Sequence, residues 1–203
     1  MAARPRLAGS VTAGWITSTQ YHGVVQAEKG VPQPDLRQFI RDIPDYPVPG
    51  VLFRDITPLL GSATAFRSAC DRLADRYRGV QLDLVATIES RGFTFGAVLA
   101  YQLGLGVVPV RKAGKLPAET ISASYDLEYG QAILEVHRDA IKKGQRVLVV
   151  DDLLATGGTA TATRDLILAL GGELAGYCFL IELLALGGRS RLGDARVETL
   201  LEL

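Results

Sequence analysis

Residues 147–166 read VLVVDDLLATGGTATATRDL, and this stretch decides the fold. A continuous apolar run, Val147 to Val150, has the look of a strand buried on both faces. It delivers two adjacent carboxylates, Asp151 and Asp152, and then a Thr-Gly-Gly-Thr turn. A helical pattern follows from about Thr159 to Leu170 and stops at Gly171-Gly172. Glycines let the chain turn tightly and approach a ligand, and a helix start offers unpaired amides and a positive dipole end. Thr156 and Thr159 add hydroxyls, so Ala155, Thr156, Gly157, Gly158 and Thr159 form a candidate phosphate cradle. The loop is not a Walker A sequence, because no lysine follows the glycines, and it is not a Gly-x-Gly-x-x-Gly turn. Two carboxylates aimed at a phosphate would repel it. They fit a neighbouring polyol, or a metal bridging to one, and a ribose has paired hydroxyls that carboxylates accept from. A polar strand end with a helix cap is the plainer alternative.

Outward from this stretch, the same alternation recurs. Asp35 can cap a short helix, LRQFIRDI, with Leu36, Phe39, Ile40 and Ile43 on one stripe, and PDYPVPG at 44–50 breaks it. Ser62 can cap a second helix running through Tyr77. LDLVATI at 82–88 reads as a buried strand, followed by ESRGF and a helix carrying Phe95, Val98, Leu99 and Leu103. GVVPVRK at 106–112 is the next strand, AGKLPAET a loop, and TISASYDLEYG with AILEV a hairpin-like pair. RVLVV at 146–150 and LAGYCFLIELL at 174–184 are further apolar strands. Alternating strands and helices predict an α/β fold with a mostly parallel sheet flanked by helices. Ligands of such sheets bind beyond the carboxyl ends of the strands. Three such ends carry polar loops: ESRGF, RKAGK and DDLLATGGT.

Composition bounds the rest. The 203 residues fit one domain, 35–203, preceded by an extension, 1–34, without strong periodicity. Trp15 and Tyr21 in that extension could pack on the body or on a partner. With 22 basic and 22 acidic residues the formal net charge is zero, which argues against a broad nucleic-acid surface. No apolar run is long enough to span a membrane, and no compact apolar leader is evident. Cys70 and Cys178 lie far apart in apolar-periodic segments and read as buried free thiols. Two histidines, His22 and His137, and no Cys-x-x-Cys leave no zinc pattern. Free thiols and the lack of a targeting signal point to the cytoplasm.

Other residues are open to two readings. Arg91 at a strand end has a fork that suits pyrophosphate oxygens, or it forms a surface ion pair. Arg111, Lys112 and Lys115 could neutralise such an anion, or be a solvated charge run. Phe53 could stack on an aromatic ligand or simply belong to the core.

VLVVDDLLATGGT resembles the phosphoribosyl-pyrophosphate (PRPP) motif of type I phosphoribosyltransferases. IRDIPDYPVPGVLFRDITPLL, ESRGFTFG and VPVRKAGKLPAETISASYDLEYG extend the resemblance, in order and spacing, to the adenine-using members over roughly residues 35–195. The resemblance implies the type I phosphoribosyltransferase fold with a mobile flap and a small base-binding N-terminal segment. It implies the reaction adenine + PRPP → AMP + pyrophosphate with Mg²⁺, in a homodimer. Asp151 and Asp152 would hold the ribose hydroxyls, with Mg²⁺ nearby through PRPP and water, and Ala155–Thr159 would cradle the 5-phosphate. Arg91, Arg111, Lys112, Lys115 and Tyr129 would serve the pyrophosphate, and the peptide near Glu89-Ser90 would be unusual. Glu128 in the YDLEYG flap would exchange a proton with adenine N7. Leu52, Phe53 and Arg54 would recognise the base, through backbone and stacking, with Leu183 as a further wall. A PRPP-sensing DNA-binding regulator would need paired helices and a basic face, which residues 1–34 do not offer.

Overall fold

The computed structural model describes residues 33–126 and 131–203, which belong to one compact unit, Gln33–Leu203. Trp15, Tyr21, His22, Glu128 and Tyr129 lie outside the described residues. The main sheet has seven strands in the order β5-β6-β4-β3-β7-β8-β9. These are β3 (Leu84–Ile88), β4 (Gly106–Lys112), β5 (Thr120–Asp126), β6 (Gln131–His137), β7 (Arg146–Leu154), β8 (Glu173–Glu182) and β9 (Val197–Glu202). The run β4-β3-β7-β8-β9 is parallel throughout, while β6 pairs antiparallel with both β4 and β5.

The pleat explains why the β7 sequence is apolar without a break. Leu148 and Val150 face a core shared with the helices α2 (Ala63–Tyr77) and α3 (Gly92–Leu103). Val147 and Val149 face a second core beneath α4 (Gly158–Ala169). Successive side chains of a strand point to opposite faces, so a strand covered on both sides is apolar at every position. Ser62 Oγ accepts from the Ala65 amide at 3.3 Å and caps α2, as its sequence predicts. Cys70 and Cys178 are free and buried, and burial pushes the Cys70 thiol up to about 12.

The segment expected as a helix over 36–43 is different. Only Leu36–Phe39 forms a 3-10 turn, and Arg41–Pro44 is a strand, β1, paired antiparallel with β2 (Leu52–Asp55). Leu36, Phe39 and Ile40 keep their contact with the core, but Ile43 pairs with Phe53 instead. The intervening turn contains a cis Tyr46–Pro47 bond, and Asp45 accepts from the Gly50 amide at 2.7 Å. β7 runs four residues beyond the expected end at Val150, so both aspartates lie on the strand itself. The short helix α1 (Thr57–Gly61) and the edge strand β9 have no counterpart in the sequence reading. Among the described residues no helix is long and apolar enough to cross a membrane.

Candidate active site

Parallel neighbours β4, β3 and β7 bring their carboxyl ends to one edge of the sheet. A cavity of about 340 Å³ opens there, lined by Ser90, Arg91, Lys112, the acid pair and Ala155–Ala160. The three polar loops singled out by sequence therefore converge on one space.

The cradle is built on Gly157, which sits at φ 83° immediately before α4. A side chain there would be strained by the backbone alone. The Thr161 hydroxyl donates to the carbonyls of Gly157 and Gly158 at 3.1 and 2.8 Å, and Thr163 donates to the Thr159 carbonyl at 2.9 Å. Those two hydroxyls are turned back onto the helix, which leaves Thr156 and Thr159 as the threonines lining the cavity. The first-turn amides of α4 have no partner within the helix and add their partial positive charge.

Asp151 accepts the Asp152 amide at 2.8 Å, which fixes one carboxylate oxygen of the pair. Asp152 is only 6% exposed. Its buried Oδ2 lies 2.8 Å from Arg91 Nε but out of hydrogen-bond alignment, so a charge partner is present without a hydrogen bond. Burial, and then the charge of Asp152, raise the Asp151 carboxyl well above its usual range, against the opposing pull of Arg91. Gly92 makes this arrangement possible, because a Cβ at that position would lie 2.7 Å from Asp151 Oδ1. The start of α3 thus packs directly on the acid pair.

Glu89 organises the basic residues, a role the sequence reading missed. Its side chain is 8% exposed and accepts from Arg111 Nε at 3.1 Å, from the Lys112 amide at 3.2 Å and from Lys115 Nζ. Burial works to raise its pKa, but the bonds from Lys115, Lys112 and Arg111 overrule it and the carboxyl stays below its ordinary value. Arg111 also donates to the Lys115 carbonyl at 3.0 Å. Arg111 and Lys115 are therefore committed to Glu89, and Lys112 is the one of the three that lines the cavity. The available signal was a lone acid in ESRGF opposite a basic cluster. The Glu89–Ser90 peptide is cis.

The hairpin β1–β2 stands beside this edge. The Arg91 guanidinium lies over the Phe53 ring, 5.1 Å from its centroid, and Tyr46 meets the same ring edge-on at 5.1 Å. Arg91 thus touches the acid pair and the hairpin together. Arg54 is tied to Asp42 at 2.5 Å across the hairpin, while Leu52 is 44% exposed. Leu183 is partly buried against the core, and its amide donates to the Leu154 carbonyl at 2.9 Å. His137 accepts from the Ala118 amide at 3.4 Å, away from the cavity.

Among the described residues no group of three or more His, Cys, Asp or Glu could hold a metal alone. The carboxylate chemistry of Asp151 and Asp152, with Asp152 Oδ2 left without a hydrogen bond, would fit an ion carried in by a phosphorylated ligand.

A family model for the phosphoribosyl transferase domain matches residues 60–200. The adenine phosphoribosyltransferase of Pseudothermotoga lettingae is 55% identical over 167 residues, covering 82% of this chain and 98% of that protein. The crystal structure of the adenine phosphoribosyltransferase of Thermoanaerobacter pseudethanolicus is 51% identical, with a TM-score of 0.81 over 83% of this chain and 98% of that one. The Saccharomyces cerevisiae enzyme, solved with an imino-altritol bisphosphate and adenine, is 42% identical, with a TM-score of 0.76 over 81% of this chain and 95% of that one.

Proposed function

The chain belongs to the adenine phosphoribosyltransferases, and from that premise we propose how its own residues divide the transfer of a 5-phosphoribosyl group from PRPP to adenine. The reaction gives AMP and pyrophosphate, a purine salvage step. The observation that carries the reading is the convergence, at one sheet edge, of the Ala155–Thr159 cradle, the Asp151–Asp152 pair and Arg91 over Phe53.

The cradle takes the 5-phosphate through the loop and helix amides and the hydroxyls of Thr156 and Thr159. Asp151 and Asp152 accept from the ribose hydroxyls and fix the sugar. Phe53 stacks on adenine while the backbone of Leu52 and Arg54 reads its edge, and Leu183 closes the base pocket. Adenine N9 then forms a bond to the anomeric carbon as the bond to pyrophosphate breaks, and the electron pair leaves with pyrophosphate. Arg91 and Lys112 meet that developing charge, Arg111 and Lys115 support Lys112 through Glu89, and Tyr129 is assigned to the pyrophosphate by the resemblance. Asp151 and Asp152 are the residues near which a PRPP-borne Mg²⁺ would be held, and when bound it would supply neutralisation of the same charge. Glu128 accepts the N7 proton as N9 attacks and returns it in the reverse direction. The YDLEYG flap that the resemblance implies, whose residues 127–130 lie outside the described residues, would exclude water from the reacting sugar. The working molecule is a cytoplasmic homodimer in this reading.

Competition among adenine, hypoxanthine and guanine for PRPP and Mg²⁺, with the nucleotide products separated, tests it. AMP as the dominant product is expected. IMP or GMP would keep the transfer chemistry and overturn the base-hairpin reading. Absence of any nucleotide would overturn the transferase reading.

A further inference from the structure

The stretch Gly187-Gly188-Arg189 lies outside every motif used above, yet it packs against the phosphate cradle. Gly188 is buried between exposed neighbours, Leu184–Gly187 on one side and Arg189–Arg191 on the other. A Cβ on Gly188 would lie 2.1 Å from the Ala155 carbonyl oxygen and 2.9 Å from the Gly157 amide nitrogen. The contact is reciprocal, since a Cβ on Gly157 would lie 2.7 Å from the Gly188 carbonyl oxygen. Two backbones therefore touch with no side chain between them, and both partners of the contact are glycine.

The segment is anchored on either side of that contact. Glu182 at the end of β8 is 3% exposed and accepts from Arg189 Nε at 2.9 and 3.1 Å and from Arg189 Nη2. Arg189 Nη1 also donates to the Val197 carbonyl on β9 at 3.1 Å. Leu192, 2% exposed, is embedded in the core beneath α4. A fork on a buried carboxylate fixes direction as well as distance. The helix holds Gly158 onward, but Ala155–Gly157 precede it and end in a glycine with wide conformational freedom.

We infer that Gly188 is a positioning residue for the phosphate cradle, held in place by the Glu182–Arg189 pair. This rests on the cradle reading of Ala155–Thr159. Gly188→Ala has no positive φ to violate, so its effect is steric and directed at Ala155 and Gly157. Gly187→Ala is the control: φ is 62° and nothing lies within 4 Å, so it perturbs the same turn without touching the cradle.

Titration with ribose 5-phosphate by calorimetry reads the cradle without requiring chemistry. Gly188→Ala is expected to weaken it at least about tenfold, because the Ala155 and Gly157 backbone must shift and a lost hydrogen bond to the charged phosphate costs about tenfold to a hundredfold. KM for PRPP should rise with it, while KM for adenine stays within about twofold. Gly187→Ala should leave ribose 5-phosphate affinity unchanged, whatever its Tm. Arg189→Gln removes the anchor without a clash and gives the same selective loss, a second reading if Gly188→Ala does not fold. Equal losses in Gly187→Ala and Gly188→Ala, or unchanged affinity in Gly188→Ala or in Arg189→Gln, would overturn the inference. Failure of the wild type to form AMP would instead overturn the proposed reaction, and ribose 5-phosphate binding would still report on the turn.

Discussion

Asp151 combines a measurable burden on folding with the binding role proposed for it. Its carboxyl is raised well above the usual range, by burial first and by the Asp152 charge second. An acid whose folded pKa is raised loses stability as pH climbs from its unfolded value, about 3.9, towards the folded one. At neutral pH the ionised form therefore opposes folding. Asn at this position keeps an oxygen for the Asp152 amide and removes the charge. Asp151→Asn is expected to keep or raise Tm at pH 7, with an advantage over wild type that grows from pH 4 upward. The same change should weaken PRPP binding by about tenfold or more, because a charge-assisted bond to the sugar is lost. A variant with lower Tm and unchanged PRPP binding would remove Asp151 from the site. The acids and the glycine turn were legible in sequence because their chemistry is local. Glu89 and Gly188 were not, because each acts on residues distant in the chain: Glu89 on Arg111 and Lys115, Gly188 on Ala155.

The hairpin β1–β2 is where helical spacing misled. A stripe at Leu36, Phe39, Ile40 and Ile43 satisfies a helix template, but eight residues give a weak helix. Pairing with β2 offers Arg41 and Ile43 cross-strand partners in Asp55 and Phe53. Asp55 then joins strand to helix: it accepts from the Thr57 amide at 2.9 Å and hydroxyl at 2.5 Å, and from Arg41 at 3.0 and 2.5 Å. The Thr57 bonds first, then Arg41, lower its carboxyl to about 2. The stabilisation is thus full above the unfolded value near 3.9 and is lost as pH falls towards 2. Because the Arg41 side chain is 60% exposed, the net contribution is discounted to about 1–2 kcal/mol. Asp55→Asn should lose that amount at pH 7 by urea unfolding, and the gap from wild type should narrow between pH 4 and 2. A gap independent of pH would mean that shape, rather than charge, matters at this junction.

Across the whole molecule, alternation of apolar strands and helices was enough to give the α/β class, but not the strand order β5-β6-β4-β3-β7-β8-β9. Order depends on which connections cross over, and no local pattern encodes that. β9 escaped notice because VETLLE is only half-buried at the sheet edge and mixes acids with apolar residues. The proposed mechanism separates two tasks. Cradle, acid pair and Arg91 stand on the ends of β3 and β7 and the starts of α3 and α4, elements locked by two cores. Glu128 falls in sequence between β5 and β6, outside the described residues. In the proposed division of labour, PRPP binding falls to the first set and proton exchange to Glu128. Glu128→Leu is therefore expected to lower kcat by about a hundredfold or more, the usual weight of a positioned acid-base group, with KM for PRPP changed far less. Initial rates with PRPP and adenine varied in turn would measure both. Proton exchange as the lost step also predicts a pH–rate profile that loses one limb in the variant. Parallel losses in kcat and PRPP affinity, with the profile intact, would assign Glu128 to the shape of the site instead of to the proton.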